Sequence, residues 1–105
     1  LDYPPFSKIL IINMAGESKN KIEIFSKKLK KSLQMILKGH DEVHIYNPGA
    51  CPISKINNIY RWQMMIKGNF SDIITDKIKK NVYENTKNIY NEIRVSLDIN
   101  PNSLM

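Results

Sequence analysis

Arginine is nearly missing from this chain. Of 16 basic residues in 105, only Arg61 and Arg94 are arginines; the rest are lysines, alongside heavy use of isoleucine and asparagine. Lys, Ile and Asn are the residues that AT-rich codons encode, so part of the net charge of +6 reflects composition. The two arginines therefore carry more information per residue than any lysine. Cysteine is reduced to Cys51, which excludes an internal disulfide framework and a multi-cysteine zinc site. With proline on its C-terminal side and no base or orienting group in a recognisable pattern, Cys51 reads as a small loop residue rather than a nucleophile. The two histidines, His40 and His44, lack metal-ligand spacing. Glycine is limited to four positions, and no Gly-rich loop ending in Lys-Ser/Thr is present. No apolar run approaches membrane-spanning length, and Ile9 to Ile12 is too short for a signal peptide, so a cytoplasmic protein without membrane contact is expected.

What is present is one domain's worth of alternating elements. Lys8 to Met14 is a continuous apolar run, bounded by Ser7 and Ala15-Gly16, and reads as a central buried strand. Ser18 offers an N-cap to a helix whose apolar residues Ile22, Phe25, Leu29, Leu33, Ile36 and Leu37 recur at helical spacing. Gly39 is placed to end it in a left-handed cap. Glu42 to Tyr46 alternates as a short strand. Asn47 to Asn58, with two prolines and a glycine, reads as a long connection and a candidate binding loop. Ile59 to Lys67 is the third strand, broken by Gly68-Asn69. Ser71 to Asn88 is a second helix, with Phe70, Ile73, Ile74, Ile78 and Val82 inward. Glu92 to Leu97 closes the set, with Ile93, Val95 and Leu97 on one side. The order βαββαβ predicts an α+β, ferredoxin-like sandwich: a four-stranded antiparallel sheet with two helices on one face.

Alternation on the third strand sends Tyr60, Trp62, Met64 and Ile66 to the core and Arg61, Gln63, Met65 and Lys67 to the open face. Arg94 joins them if the last strand is oriented likewise. An open face of this kind can bind single-stranded RNA by stacking bases on aromatics, and Trp62 could serve as such a platform. Its alternation puts it in the core instead, leaving a polar, cationic face suited to carboxylates or phosphates. Lys27, Lys28 and Lys31 on the first helix are a separate patch, which reads either as a phosphate-contacting surface or as an ordinary solvated helix face. Catalysis finds no support. The stretch Ala15-Gly16-Glu17 has no arginine to cradle an anion, and no carboxylate pair stands at metal spacing. A binding module is expected.

Four short stretches carry a resemblance: Tyr3-Pro4-Pro5-Phe6, Asn47-Pro48-Gly49-Ala50-Cys51-Pro52-Ile53, Tyr60-Arg61-Trp62-Gln63, and Ser96-Leu97-Asp98-Ile99-Asn100-Pro101. In this order and spacing they resemble the C-terminal domain of primosomal protein N-prime (PriA), the bacterial replication-restart helicase. The chain departs from that pattern at Ile59, where many relatives carry a basic residue, and in the loop, where Asn47 and Ala50 replace a Gly and a Pro. The resemblance implies residues 1–7 as an extended lead-in from an upstream domain, residues 8–101 as the domain, and residues 102–105 as a tail. The start on Leu1 likewise suggests a piece of a longer protein. The implied parent is an ATP-dependent 3′-to-5′ DNA helicase that binds ATP, Mg and Zn upstream, with no cofactor in this stretch. Implied partners are forked and single-stranded DNA, the acidic C-terminal tail of single-stranded DNA-binding protein, the upstream helicase domains and other primosome proteins. Carried onto this sequence, Arg61 pairs with acid groups of that tail and Gln63 bonds its backbone. Lys27, Lys28, Lys31, Lys55, Lys67 and Arg94 are the expected DNA contacts. Two alternatives stand beside this: a module that only braces the helicase core without direct DNA binding, and an independent ferredoxin-like enzyme or regulatory domain, against which the missing catalytic residues argue.

Overall fold

The computed structural model describes residues 8–69, 71–89 and 91–99, with the backbone alone at 52–56. Its elements are β1 (Lys8–Gly16), α1 (Lys19–Ile36), β2 (Val43–Ile45), β3 (Gly49–Ile56), β4 (Ile59–Gly68), α2 (Asp72–Thr86) and β5 (Ile93–Ile99). The strands form one sheet in the order β2-β4-β1-β5, with β3 also paired to β4 and every pairing antiparallel. The apolar run of β1 is thus central, flanked by β4 and β5. This is the expected ferredoxin-like class, with a fifth strand added.

That fifth strand lies where the sequence reads as a loop. Eight residues of the Asn47–Asn58 connection form β3, which shares one edge of β4 with β2. The short β2 covers the lower part, Val43↔Gly68 to Ile45↔Ile66. β3 covers the upper part in two pieces, Gly49↔Gln63 with Ala50↔Trp62, then Lys55↔Tyr60 with Ile56↔Ile59, and the register shifts between them. Prolines and glycines are tolerated on an edge strand and at its irregularities, which is why this stretch carries loop signals and still pairs. Asn57 (φ 54°) and Asn58 (φ 67°) are both left-handed, as a two-residue hairpin loop of the twist-matched kind requires. The sheet therefore keeps four columns, with the outer one built from two strands.

Local signals mostly hold. Ser18 caps α1 by accepting the Lys21 backbone N–H, and Ser71 caps α2 by accepting that of Ile74. Leu10, Ile12 and Met14 of β1 meet Ile22, Phe25, Leu29 and Leu33 of α1 in one core, joined by Met64, Ile66, Ile74, Ile78, Val82 and Ile93. A hydrogen bond from Asn85 to Ser32 (3.3 Å) ties the two helices together.

Four expectations need correction. Ile73 is 71% exposed, not inward. At 100° per residue, Ile74, Ile78 and Val82 define the buried stripe, and Thr75 joins it with its hydroxyl bonded to the Ser71 carbonyl. Gly68 is the last residue of β4, paired with both Lys8 and Val43, rather than the residue that breaks the strand. Gly16 likewise still pairs, with Tyr60 and Ile93. Gly39 is left-handed (φ 91°) but sits two residues beyond the C-cap Leu37, in the turn that follows α1. The lead-in, Phe70, Pro101 and the tail fall outside the described residues.

Ion pairs tie sheet to helices at both ends: Lys8–Asp72 (2.7 Å) and Lys21–Glu92. The hydrogen bond from Lys8, with its positive charge, holds the Asp72 carboxyl below the usual aspartate range. Such a group stabilises the fold fully above the ordinary aspartate pKa of about 3.9, and the contribution drains away as pH falls through the lowered native value. Asp72→Asn is therefore expected to shrink the drop in thermal midpoint between about pH 6 and about pH 3, compared with the unaltered chain. An unchanged acid limb would mean the pair does not persist in solution.

Candidate functional site

The face of the sheet turned away from the helices is where polar chemistry collects. Along β4, Tyr60, Trp62, Met64 and Ile66 face the helices, with Tyr60 and Trp62 packed against the core cluster. Arg61, Gln63 and Lys67 are exposed on the other side. Register then sets what stands beside them. Arg61, Ala15 and Arg94 form one cross-strand row; Gln63, Asn13 and Ser96 form the next; Met65, Ile11 and Asp98 the third. Two interstrand spacings separate the arginine Cα atoms, about 10 Å. Both guanidinium groups can reach over the small Ala15 between them.

The second row is a relay of fixed donors. Gln63 Nε2 donates to Asn13 Oδ1 (3.0 Å), and Asn13 Nδ2 donates on to Asp98 Oδ2 (2.9 Å). Because Ala15 projects little, the first two rows enclose an open depression of about 680 Å³, lined by Asn13, Ala15, Cys51, Arg61, Gln63 and Arg94 among others. A second depression of about 600 Å³ shares Ala15, Arg61 and Arg94 and runs on to Glu17, Ser18 and Lys21 at the start of α1 and to Glu92 just before β5. Neither arginine has a carboxylate within ion-pairing distance among the described residues. Burial pushes the Cys51 thiol up, and the Arg61 charge only partly opposes this, so at neutral pH it stays an unactivated thiol. Among the described residues no cluster of His, Cys, Asp and Glu is arranged to hold a metal.

The expected DNA contacts are not brought together. Lys27, Lys28 and Lys31 are exposed on α1, on the helix side of the sandwich. Lys67 and Arg94 lie across the sheet from them, and the Lys55 side chain lies outside the described residues. The expected peptide contacts, Arg61 and Gln63, are adjacent on one face, and Arg94 stands with them. Asn13, Ala15, Ser96 and Asp98 were not read as site residues, because only strand register makes them neighbours of Arg61 and Gln63.

The family described as primosomal protein N C-terminal domain matches residues 1–102, taking in all four motifs read from the sequence. The chain belongs to that family. The primosomal protein N C-terminal domain is a part of a primosomal protein, which gives the outer face and the α1 lysines a primosome context. No curated protein matches the chain. Among solved structures, the domain is similar to the de novo designed protein Foldit4 (TM-score 0.61, 11% identity, covering 90% of this chain and 97% of that one). It is also similar to the de novo designed protein LFR1 1 with ferredoxin fold (TM-score 0.57, 9% identity, 90% and 82%). A hydantoinase/carbamoylase family amidase from Burkholderia ambifaria matches over 89% of this domain and 27% of its own chain (TM-score 0.53, 12% identity). At such identities these likenesses concern fold alone. No helix among the described residues is long and apolar enough to cross a membrane.

Proposed function

We propose that this primosomal protein N C-terminal domain docks the acidic C-terminal tail of single-stranded DNA-binding protein on its outer sheet face and contacts forked or single-stranded DNA through its lysines. It does so as part of an ATP-dependent restart helicase whose nucleotide, magnesium and zinc sites lie in other domains. The observation that supports this reading best is the arginine row. The only two arginines of the chain share one cross-strand row over Ala15, exposed and without carboxylate partners among the described residues. Guanidinium forks left unpaired beside an amide relay are what a carboxylate-bearing peptide needs: charge-assisted donors for its acids and a hydrogen-bonding strip for its backbone. In this arrangement Arg61 takes an acid group. Gln63, whose Nε2 is held by Asn13, offers Oε1 to a peptide N–H.

The α1 lysines suit phosphates because they supply charge without base-reading geometry. Calorimetry of the 105-residue chain against the tail peptide, with anisotropy against labelled forked, single-stranded and duplex DNA, tests both parts. Arg61→Ala is expected to weaken the peptide about tenfold or more, the worth of a charged hydrogen bond. Replacing Lys27, Lys28 and Lys31 together by alanine is expected to flatten the salt dependence of DNA binding by up to about 3 in the logarithmic slope. A chain that binds neither ligand at low salt would be a brace for the helicase core and nothing more.

A further inference from the structure

Among the described residues the outer face carries two arginines, Lys67 and three carboxylates, and their arrangement limits what can bind. Glu92 precedes Arg94 by two residues on the β5 side. It pairs with Lys21, so the lysine nearest the arginine row contributes little net charge there. The exposed Glu17 lines the same depression, in which Glu92 and Lys21 also stand. On the other side, Asp98 lies two rows away, anchored by Asn13. Lys67, the next cation along β4, is about 20 Å from Arg61 by strand rise, with Met65 between. Among the described residues, positive charge near the arginine row is thus one spot, about the width of two interstrand spacings, with carboxylates both above and below it. Nucleic acid is a continuous run of charge, one phosphate per about 3.4 Å of each strand along the duplex axis. A backbone laid over the arginines would carry its neighbouring phosphates onto Glu17 or onto Asp98. A peptide can present one carboxylate to the spot and polar backbone to the Gln63–Asn13 strip.

We infer that Arg94 joins Arg61 in a single clamp on one carboxylate of an acidic peptide, and that Glu17 and Asp98 on either side of the clamp keep DNA off this face. The inference rests on the peptide docking proposed above and moves Arg94 from the DNA surface to the peptide site. It also assigns the two ligands to opposite faces of the sandwich, the peptide on the sheet and DNA on α1, so both are held at once.

The test uses the 105-residue chain, the acidic tail peptide and labelled forked DNA. Arg94→Ala weakens the peptide about tenfold, leaves DNA affinity within about twofold, and is less than additive with Arg61→Ala because the two share one carboxylate. Arg94→Lys, which keeps charge but not the fork, falls between. Saturating peptide leaves the DNA anisotropy of the unaltered chain unchanged. The double neutral variant Glu17→Gln, Asp98→Asn binds DNA more tightly, and there the peptide displaces part of it. Displacement of DNA by peptide from the unaltered chain, or an Arg94→Ala loss as large for DNA as for peptide, overturns the inference. Peptide binding that falls with Arg61→Ala but not with Arg94→Ala overturns the clamp alone. No peptide binding by the unaltered chain removes the docking itself and the clamp with it.

Discussion

Gly68→Ala is expected to detach β2 and cost about 3 kcal/mol of stability, at the upper end of overpacking penalties. A Cβ at Gly68 would lie 2.0 Å from the Glu42 carbonyl oxygen, with Glu42 C and Val43 Cα at 3.0 and 3.1 Å. All three are backbone atoms, so no side-chain rotation relieves the clash. Gly68 is flanked on both sides, by Val43 and by Lys8, and β4 cannot slide away from one partner without straining the other. The cheapest release is to give up β2, a strand of three residues. That would uncover Val43 and Ile45, which pack against the core. Urea unfolding followed by far-UV circular dichroism checks this, with Gly49→Ala, whose added Cβ meets nothing within 4 Å, as the control. A Gly68→Ala midpoint equal to the control's would mean that β2 and β4 do not approach this closely.

Trp62→Ala should cost about 2–3 kcal/mol, below the 3–5 kcal/mol of a fully buried aromatic because the indole is only half-buried. Its ring packs on the core cluster from the helix-facing side of β4, while Arg61 and Gln63 on either side of it point the other way. Affinity for single-stranded DNA, measured in the cold where the variant remains folded, is expected to match that of the unaltered chain. Loss of DNA binding with stability intact would make the indole a stacking surface after all.

The two outcomes for Trp62 show how far the sequence can be read. Strict alternation from Ile59 to Lys67 places each side chain of β4 on its face without knowledge of any partner strand, because a pleated strand has period two. The helix stripes and both serine caps are legible for the same reason: they depend on local spacing. Ile73 misleads because apolar residues stand at both 73 and 74, and only the angular fit to Ile78 and Val82 selects one. β3 is hidden because its Pro and Gly are ordinary loop formers, and because Asn57-Asn58 is a weaker hairpin signal than Asn-Gly. The arginine row is further from reach. Arg61 and Arg94 are thirty-three positions apart (94 − 61), and only the pairing of β1 with both β4 and β5 puts Ala15 between them. Of the candidate site, the residue types and the shared face of Arg61, Gln63 and Arg94 were legible, and the row over Ala15 was not.

The hairpin of β3 and β4 also bears on how the chain finds its fold. Its two strands are joined by two residues, whereas Ala15 must find Arg61 across about half the chain and Arg94 across most of it. Closing longer loops costs more entropy before contacts reward it, so the order of assembly follows separation along the chain. By that ordering the hairpin forms first, β1 docks on it next and β5 comes last. Assembled in that order, the chain carries the Arg61 half of the site from an early stage, and the Arg94 half arrives only when the sheet is complete.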